Sequence, residues 1–113
     1  MPTNDRSQTA RAMYEAFAAG DRDFVEASLD DEFEFSSPAD VGLDRAGYFA
    51  RCWPGSGQRR TVEFVRLIES GNEVIVTYEM TTSDGGRGRN TEILTFKDDR
   101  ICRVEVYFGW NLP

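Results

Sequence analysis

Apolar positions recur along this chain in two periods, and the change from one to the other divides it. Over residues 4–19, Ala10, Met13, Tyr14, Phe17 and Ala18 fall at three- and four-residue steps, the stripe of an amphipathic helix. Thr3, Asn4 or Asp5 can cap its start and Gly20 ends it. Asp21 then caps a short second helix that turns Phe24, Val25, Leu29 and Ala27 inward, and Glu32-Phe33-Glu34-Phe35 alternates as a short strand. Ser36 to Leu43, with Ser37-Pro38-Ala39-Asp40 and Gly42, reads as a loop. Asp44 caps a third helix to about Trp53, carrying Tyr48, Phe49 and Cys52, and Pro54-Gly55-Ser56-Gly57 stops it.

From Gln58 the period is two. Strands are expected over about 59–69, 73–83, 88–97 and 101–110, joined by Ser70-Gly71-Asn72, Ser83-Asp84-Gly85-Gly86 and Asp98-Asp99-Arg100. Turns this short make neighbouring strands antiparallel hairpins. Helices followed by a meander give an α+β fold, one domain over residues 1–113, with helices against one sheet face. That inner face takes Val62, Phe64, Val74, Val76, Tyr78, Met80, Leu94, Phe96, Val104, Val106 and Phe108, with Cys102 as a small core residue. The outer face takes Val65, Leu67, Ile75, Ile93 and Tyr107 among polar residues, too apolar to stay fully wetted. A homodimer packed sheet to sheet would cover it.

One residue breaks the apolar inner face. In Asn90-Thr91-Glu92-Ile93-Leu94-Thr95-Phe96 the side chains alternate, so Glu92 shares a side with Leu94 and Phe96. A carboxylate there must pair, protonate or meet a cavity. An ion pair with Arg66, Arg51 or Arg89 is the structural alternative to a pocket acid. Tyr14 on the first helix can be a core residue or a hydroxyl donor, and Asp40 a turn residue or a base.

Composition removes other chemistries. There is no histidine, so no His-paired nucleophile, imidazole base or imidazole metal ligand exists. With only Cys52 and Cys102 and no CxxC, neither a metal site nor any cofactor is expected. A net charge of −7 and a single lysine, Lys97, argue against nucleic acid. Arg87 and Arg89 read as solvated turn residues. No apolar run reaches the roughly 20 residues of a membrane span. Met1 to Arg6 lacks signal-peptide character, which makes the cytoplasm the expected location.

The order of elements, with the segments Tyr14-Glu15-Ala16-Phe17-Ala18-Ala19-Gly20-Asp21, Phe33-Glu34-Phe35-Ser36-Ser37-Pro38 and Val104-Glu105-Val106-Tyr107-Phe108-Gly109, resembles the NTF2-like superfamily, in its SnoaL-like and ketosteroid-isomerase-like branch. The resemblance implies a cone: three N-terminal helices on a curved antiparallel sheet enclosing an apolar pocket. Met13, Phe17, Phe33, Phe35, Trp53, Tyr78, Val106 and Phe108 are then the expected lining for a small hydrophobic molecule. It also implies isomerase, cyclase or dehydratase chemistry, with a non-catalytic binding or dimeric assembly module as the alternative. Steroid isomerases carry an aspartate base before the loop proline, where this chain has Ser37. Their protonated acid lies on the penultimate strand, where Glu92 falls, and their first-helix tyrosine matches Met13, one place from Tyr14. The histidines of SnoaL-like cyclases are absent. The expected catalytic set is therefore Glu92 as acid or oxyanion donor, Asp40 as base and Tyr14 as second donor.

Overall fold

The computed structural model describes residues 6–53, 61–82 and 85–112. The caps expected at Thr3, Asn4 or Asp5 and the stop at 54–57 lie outside them.

Helix α1 (Arg6–Ala19) buries Ala10, Met13, Tyr14 and Ala16. It ends on Gly20 at φ +77°, where the Asp21 N–H reaches the Ala16 carbonyl and the Gly20 N–H that of Phe17. That crossed pair satisfies carbonyls that the last turn would orphan, and the left-handed backbone favours glycine. Asp21 caps α2 (Arg22–Ser28) by accepting from the Phe24 N–H. The inward face of α2 is narrower than its sequence suggests. Val25 and Ser28 are buried, whereas Phe24 is 40% exposed and Ala27 is exposed. A two-turn helix leading straight into a strand presents only one i, i+3 pair to the core.

Strand β1 (Leu29–Ser36) follows directly. After it come β2 (Leu43–Asp44), α3 (Arg45–Arg51), β3 (Thr61–Ser70), β4 (Glu73–Thr81), β5 (Arg87–Lys97) and β6 (Arg100–Asn111). Asp44 caps α3 by accepting from the Gly47 N–H at 2.7 Å. The sheet order is β2-β1-β6-β5-β4-β3. Two expectations change here. Only α1 and α2 precede the first strand, since α3 lies mid-chain between β2 and β3. The sheet is mixed, not wholly antiparallel, because β1 runs parallel to β6. Tight turns fix direction only between consecutive strands, and the whole meander separates these two.

Bulges correct the faces. An extra residue at Val65 shifts the β3–β4 register between Phe64 and Arg66, which turns Leu67 opposite Val76 and onto the core. Strict alternation places Leu67 outside. A second bulge at Cys102 lets Ile101 pair with Phe96 and bury completely, so Ile101 holds the core place expected for Cys102. A third lies at Gly109, where an added Cβ would come within 1.9 Å of the Arg89 carbonyl oxygen. Each extra residue reverses the alternation beyond it. Around these shifts the core closes on Leu29, Phe33, Val74, Val76, Leu94, Phe96, Ile101 and Val104.

Candidate functional site

Glu92 sits in the middle of β5, opposite Val76 on β4 and Val106 on β6. Flanked by valines and only 8% exposed, it is the one acidic side chain that is buried among the described residues. Its partners are two phenols. Tyr14 from α1 donates its hydroxyl to Oε1 at 2.5 Å, and Tyr78 from β4 donates to Oε2 at 2.6 Å. Asn90 Nδ2 approaches the Tyr78 hydroxyl at 3.5 Å, while its Oδ1 accepts from the Gly109 N–H at 3.0 Å. The Gly109 bulge thereby fixes the orientation of an amide at the edge of the site.

The arginines named as ion-pair partners are engaged elsewhere or absent from the carboxyl. Arg89 and Arg87 both grip Glu79, the former closely, and hydrogen bonding to Arg89 holds Glu79 below the usual carboxylate range. Arg87 stays exposed, as expected, whereas Arg89 is half-buried, and both belong to β5 and not to the turn before it. Arg51 pairs with Asp40. Among the described residues no cation contacts Glu92.

Burial pushes the Glu92 pKa up, and the two phenolic hydrogen bonds pull against it without prevailing. Burial raises Tyr14 as well, reinforced by the Glu92 charge and the shared hydrogen bond, so Tyr14 stays a phenol. Counting protons gives the site two states. When Glu92 is ionised, both phenolic protons point into the carboxylate and the trio offers a ligand only acceptors. When Glu92 is neutral, a third proton serves the same two contacts and one is left to donate. A single protonation therefore converts the trio from acceptor to donor.

A cavity of about 350 Å³ opens in front of Glu92, lined mainly by apolar side chains. Of the expected lining, Met13, Phe17, Phe33, Phe35, Tyr78, Val106 and Phe108 contribute, and Tyr14 and Asp40 reach it too. Trp53 does not. It stacks edge-on against Phe17 and tilted against Phe49, behind the lining. Phe108 is 59% exposed and also borders a groove with Trp110 at the sheet end, which marks the open side.

Asp40 is held at the cavity edge by Arg51, whose Nε lies 2.7 Å from Oδ1. Ser37, in the place of the steroid-isomerase aspartate, lines the same cavity. Its hydroxyl accepts the backbone N–H groups of Ala39 and Asp40, each at 3.2 Å, which shapes the loop that presents Asp40. Tyr48 and Cys52 of the α3 segment, and Asn90, complete the polar lining. Sequence reasoning misses Asn90, whose signal is only its two-residue offset from Glu92 on the same strand face. Among the described residues no group of three or more Cys, Asp or Glu is placed to hold a metal ion. No helix among them is long and apolar enough to cross a membrane.

The architecture recurs in solved structures. A candidate ketosteroid isomerase from Kribbella flavida DSM 17836 superposes with a TM-score of 0.81 at 18% identity, covering 96% of this chain and 80% of its own. An LEH-like epoxide hydrolase from M. tuberculosis gives 0.73 at 19% identity, covering 92% and 82%. A de novo designed protein with a curved β-sheet gives 0.77 at 14% identity, covering 96% and 88%. Identities this low establish the fold alone, and a fold does not by itself assign a function. No curated protein matches in sequence. The SnoaL-like domain family, by contrast, matches residues 10–104, from the first helix into the last strand. The chain is a member of the SnoaL-like domain family, within the NTF2-like fold.

Proposed function

We propose that this protein takes a small, apolar carbonyl compound into the cavity before Glu92 and moves a proton on it, as an isomerase, cyclase or dehydratase would. The observation that supports this most is the buried carboxyl whose partners are neutral phenols, at the wall of an apolar cavity. A raised pKa keeps Glu92 available as a hydrogen-bond donor to a carbonyl oxygen, where negative charge grows as a neighbouring C–H bond breaks. Tyr14 and Tyr78 hold the carboxyl in place and share that charge. Asp40 is the base: Arg51 anchors its Oδ1, and Oδ2 remains to accept the proton. The resulting enol is then reprotonated at another carbon by the protonated Asp40, expels a β-hydroxyl as water with that proton, or attacks a second carbonyl carbon of the same ligand, whose oxygen takes the proton as the ring closes. Each step is driven by acid–base chemistry with no net oxidation or reduction, so no metal or cofactor enters the scheme.

A second reading has its own support. Ser37 stands where the steroid isomerases keep their base, and Asp40 is committed to an ion pair. On that reading the cavity binds without turnover. The apolar outer face, with Val65, Ile68 and Tyr107 exposed, suits a sheet-to-sheet homodimer on either reading. The two readings separate when ketones such as 2-tetralone are incubated with the protein in D2O and their α-protons followed by NMR. Saturable deuteration above the buffer rate, lost in Glu92→Gln while binding persists, is the expected result. Saturable binding with deuteration only at the buffer rate would replace catalysis with binding.

A further inference from the structure

Tyr48 is a buried hydroxyl-bearing residue on this cavity that the proton-transfer scheme leaves unused. It is 7% exposed, lines the cavity, and is wedged among the rings of Phe33, Phe35 and Phe49 at centroid distances of 5.1 to 5.3 Å. Those contacts fix the ring. The hydroxyl, however, has no hydrogen-bond partner among the described residues, whereas the other two cavity tyrosines each donate to Glu92. The hydroxyl is not sealed off as the unpartnered Thr95 Oγ1 and Arg100 Nε are, so it opens into the cavity, where water or a ligand meets it. Here the ring could be held equally well by phenylalanine. Burial, and then the charges of Glu92 and Cys52, push its pKa above the ordinary tyrosine value, so it remains a donor at any working pH.

Its place in the fold separates it from the carboxyl. Tyr48 packs on β1, Glu92 lies on β5, and β6 runs between them. Two strand spacings put roughly 10 Å of sheet between those walls. Tyr14 and Tyr78 already occupy one Glu92 oxygen each. A single ligand oxygen at Glu92 therefore leaves Tyr48 unmet. We propose that the ligand is a dioxygenated apolar molecule, with one oxygen at Glu92 and a second, acceptor-only oxygen seated on the Tyr48 hydroxyl. This inference rests on the ligand cavity proposed above and narrows its substrate class. Tyr48 is the residue that distinguishes such compounds from their mono-oxygenated analogues.

The test pairs a ligand-free measurement with a matched pair of ligands, 2-tetralone and 6-methoxy-2-tetralone, on wild type, Tyr48→Phe and Glu92→Gln. Since the hydroxyl makes no bond within the protein, Tyr48→Phe should unfold in urea at the wild-type midpoint or above it. It should weaken the methoxy ketone about fivefold, the scale of one net hydrogen bond, and leave 2-tetralone within about twofold. A lowered midpoint would mean that the hydroxyl is satisfied in the folded protein and would overturn the proposal. So would equal effects on both ketones. If Tyr48→Phe fails to discriminate while Glu92→Gln still abolishes deuteration, only the role of Tyr48 falls. If neither ketone binds wild type, the ligand cavity falls with it.

Discussion

Replacing Tyr78 with phenylalanine removes one hydroxyl and leaves the ring in the core, so its cost reports on the 2.6 Å bond to Glu92 Oε2 together with the long 3.5 Å contact from Asn90 Nδ2. That cost depends on the charge of the acceptor. A hydrogen bond to a neutral carboxyl contributes about 0.5–1.5 kcal/mol net, and one to a carboxylate about 1.5–3 kcal/mol. Because burial raises the Glu92 pKa, the carboxyl keeps its proton to a higher pH than a free glutamate does; it is neutral on the acid side of its titration and ionised on the alkaline side. Tyr78→Phe should therefore destabilise the protein by about 1 kcal/mol on the acid side of the Glu92 titration and by about 2 kcal/mol on its alkaline side. The extra 1 kcal/mol or so corresponds to a Glu92 pKa about 0.7 higher in the variant than in wild type. Urea unfolding of both proteins across a pH series measures it, with midpoints compared at constant slope. Tyr14→Phe should behave alike, since Tyr14 donates to the other oxygen. A cost independent of pH would show that Glu92 does not change charge in this range or that the phenol does not donate to it. Either finding would remove the donor–acceptor switch.

Other perturbations have equally definite outcomes. Glu92→Gln should flatten the pH dependence of stability: the raised carboxyl pKa stabilises wild type fully below the unfolded value near 4.3, and that contribution is lost as pH rises through the folded pKa. For every pH unit by which the folded pKa exceeds the unfolded one, wild type should lose about 1.4 kcal/mol relative to the variant, read from midpoints between about pH 4 and 9. Gly109→Ala forces a Cβ into the Arg89 carbonyl and should cost about 2 kcal/mol or more by urea unfolding, with retained wild-type stability refuting the bulge. Ile93→Asp, on the outer face of β5, should convert a dimer to monomer by sedimentation velocity. An unchanged association state would rule out that face as the interface.

The elements that the sequence made legible are those whose signals are local. The α1 stripe, the Gly20 stop, the Asp21 and Asp44 caps and the three-hairpin meander each follow from residues within a few positions of one another. Glu92 stands out because simple alternation holds across the middle of β5, away from every bulge. Where alternation is interrupted the reading fails, as at Leu67 and Cys102, because a bulge is one residue of excess that only pairing with the neighbouring strand exposes. The parallel β1–β6 pairing and the displacement of Trp53 behind Phe17 are long-range in the same way. The site shows both limits. Tyr14 lies on the helix stripe, but its bond to a residue 78 positions away is a product of folding. Tyr78 reads as lining and is in fact the second donor, because its register beside Asn90 sets its hydroxyl diagonally across from Glu92.

The most direct test of the central claim is the pKa of Glu92 in the wild-type protein, followed through its side-chain carboxyl carbon in an NMR titration and assigned by loss of the signal in Glu92→Gln. A buried carboxyl with phenols for partners should titrate above the roughly 4.3 of a free glutamate. A value at or below about 4.3 would mean a solvated or cation-paired acid, and would contradict both the donor state of the trio and the proton-transfer chemistry built on it.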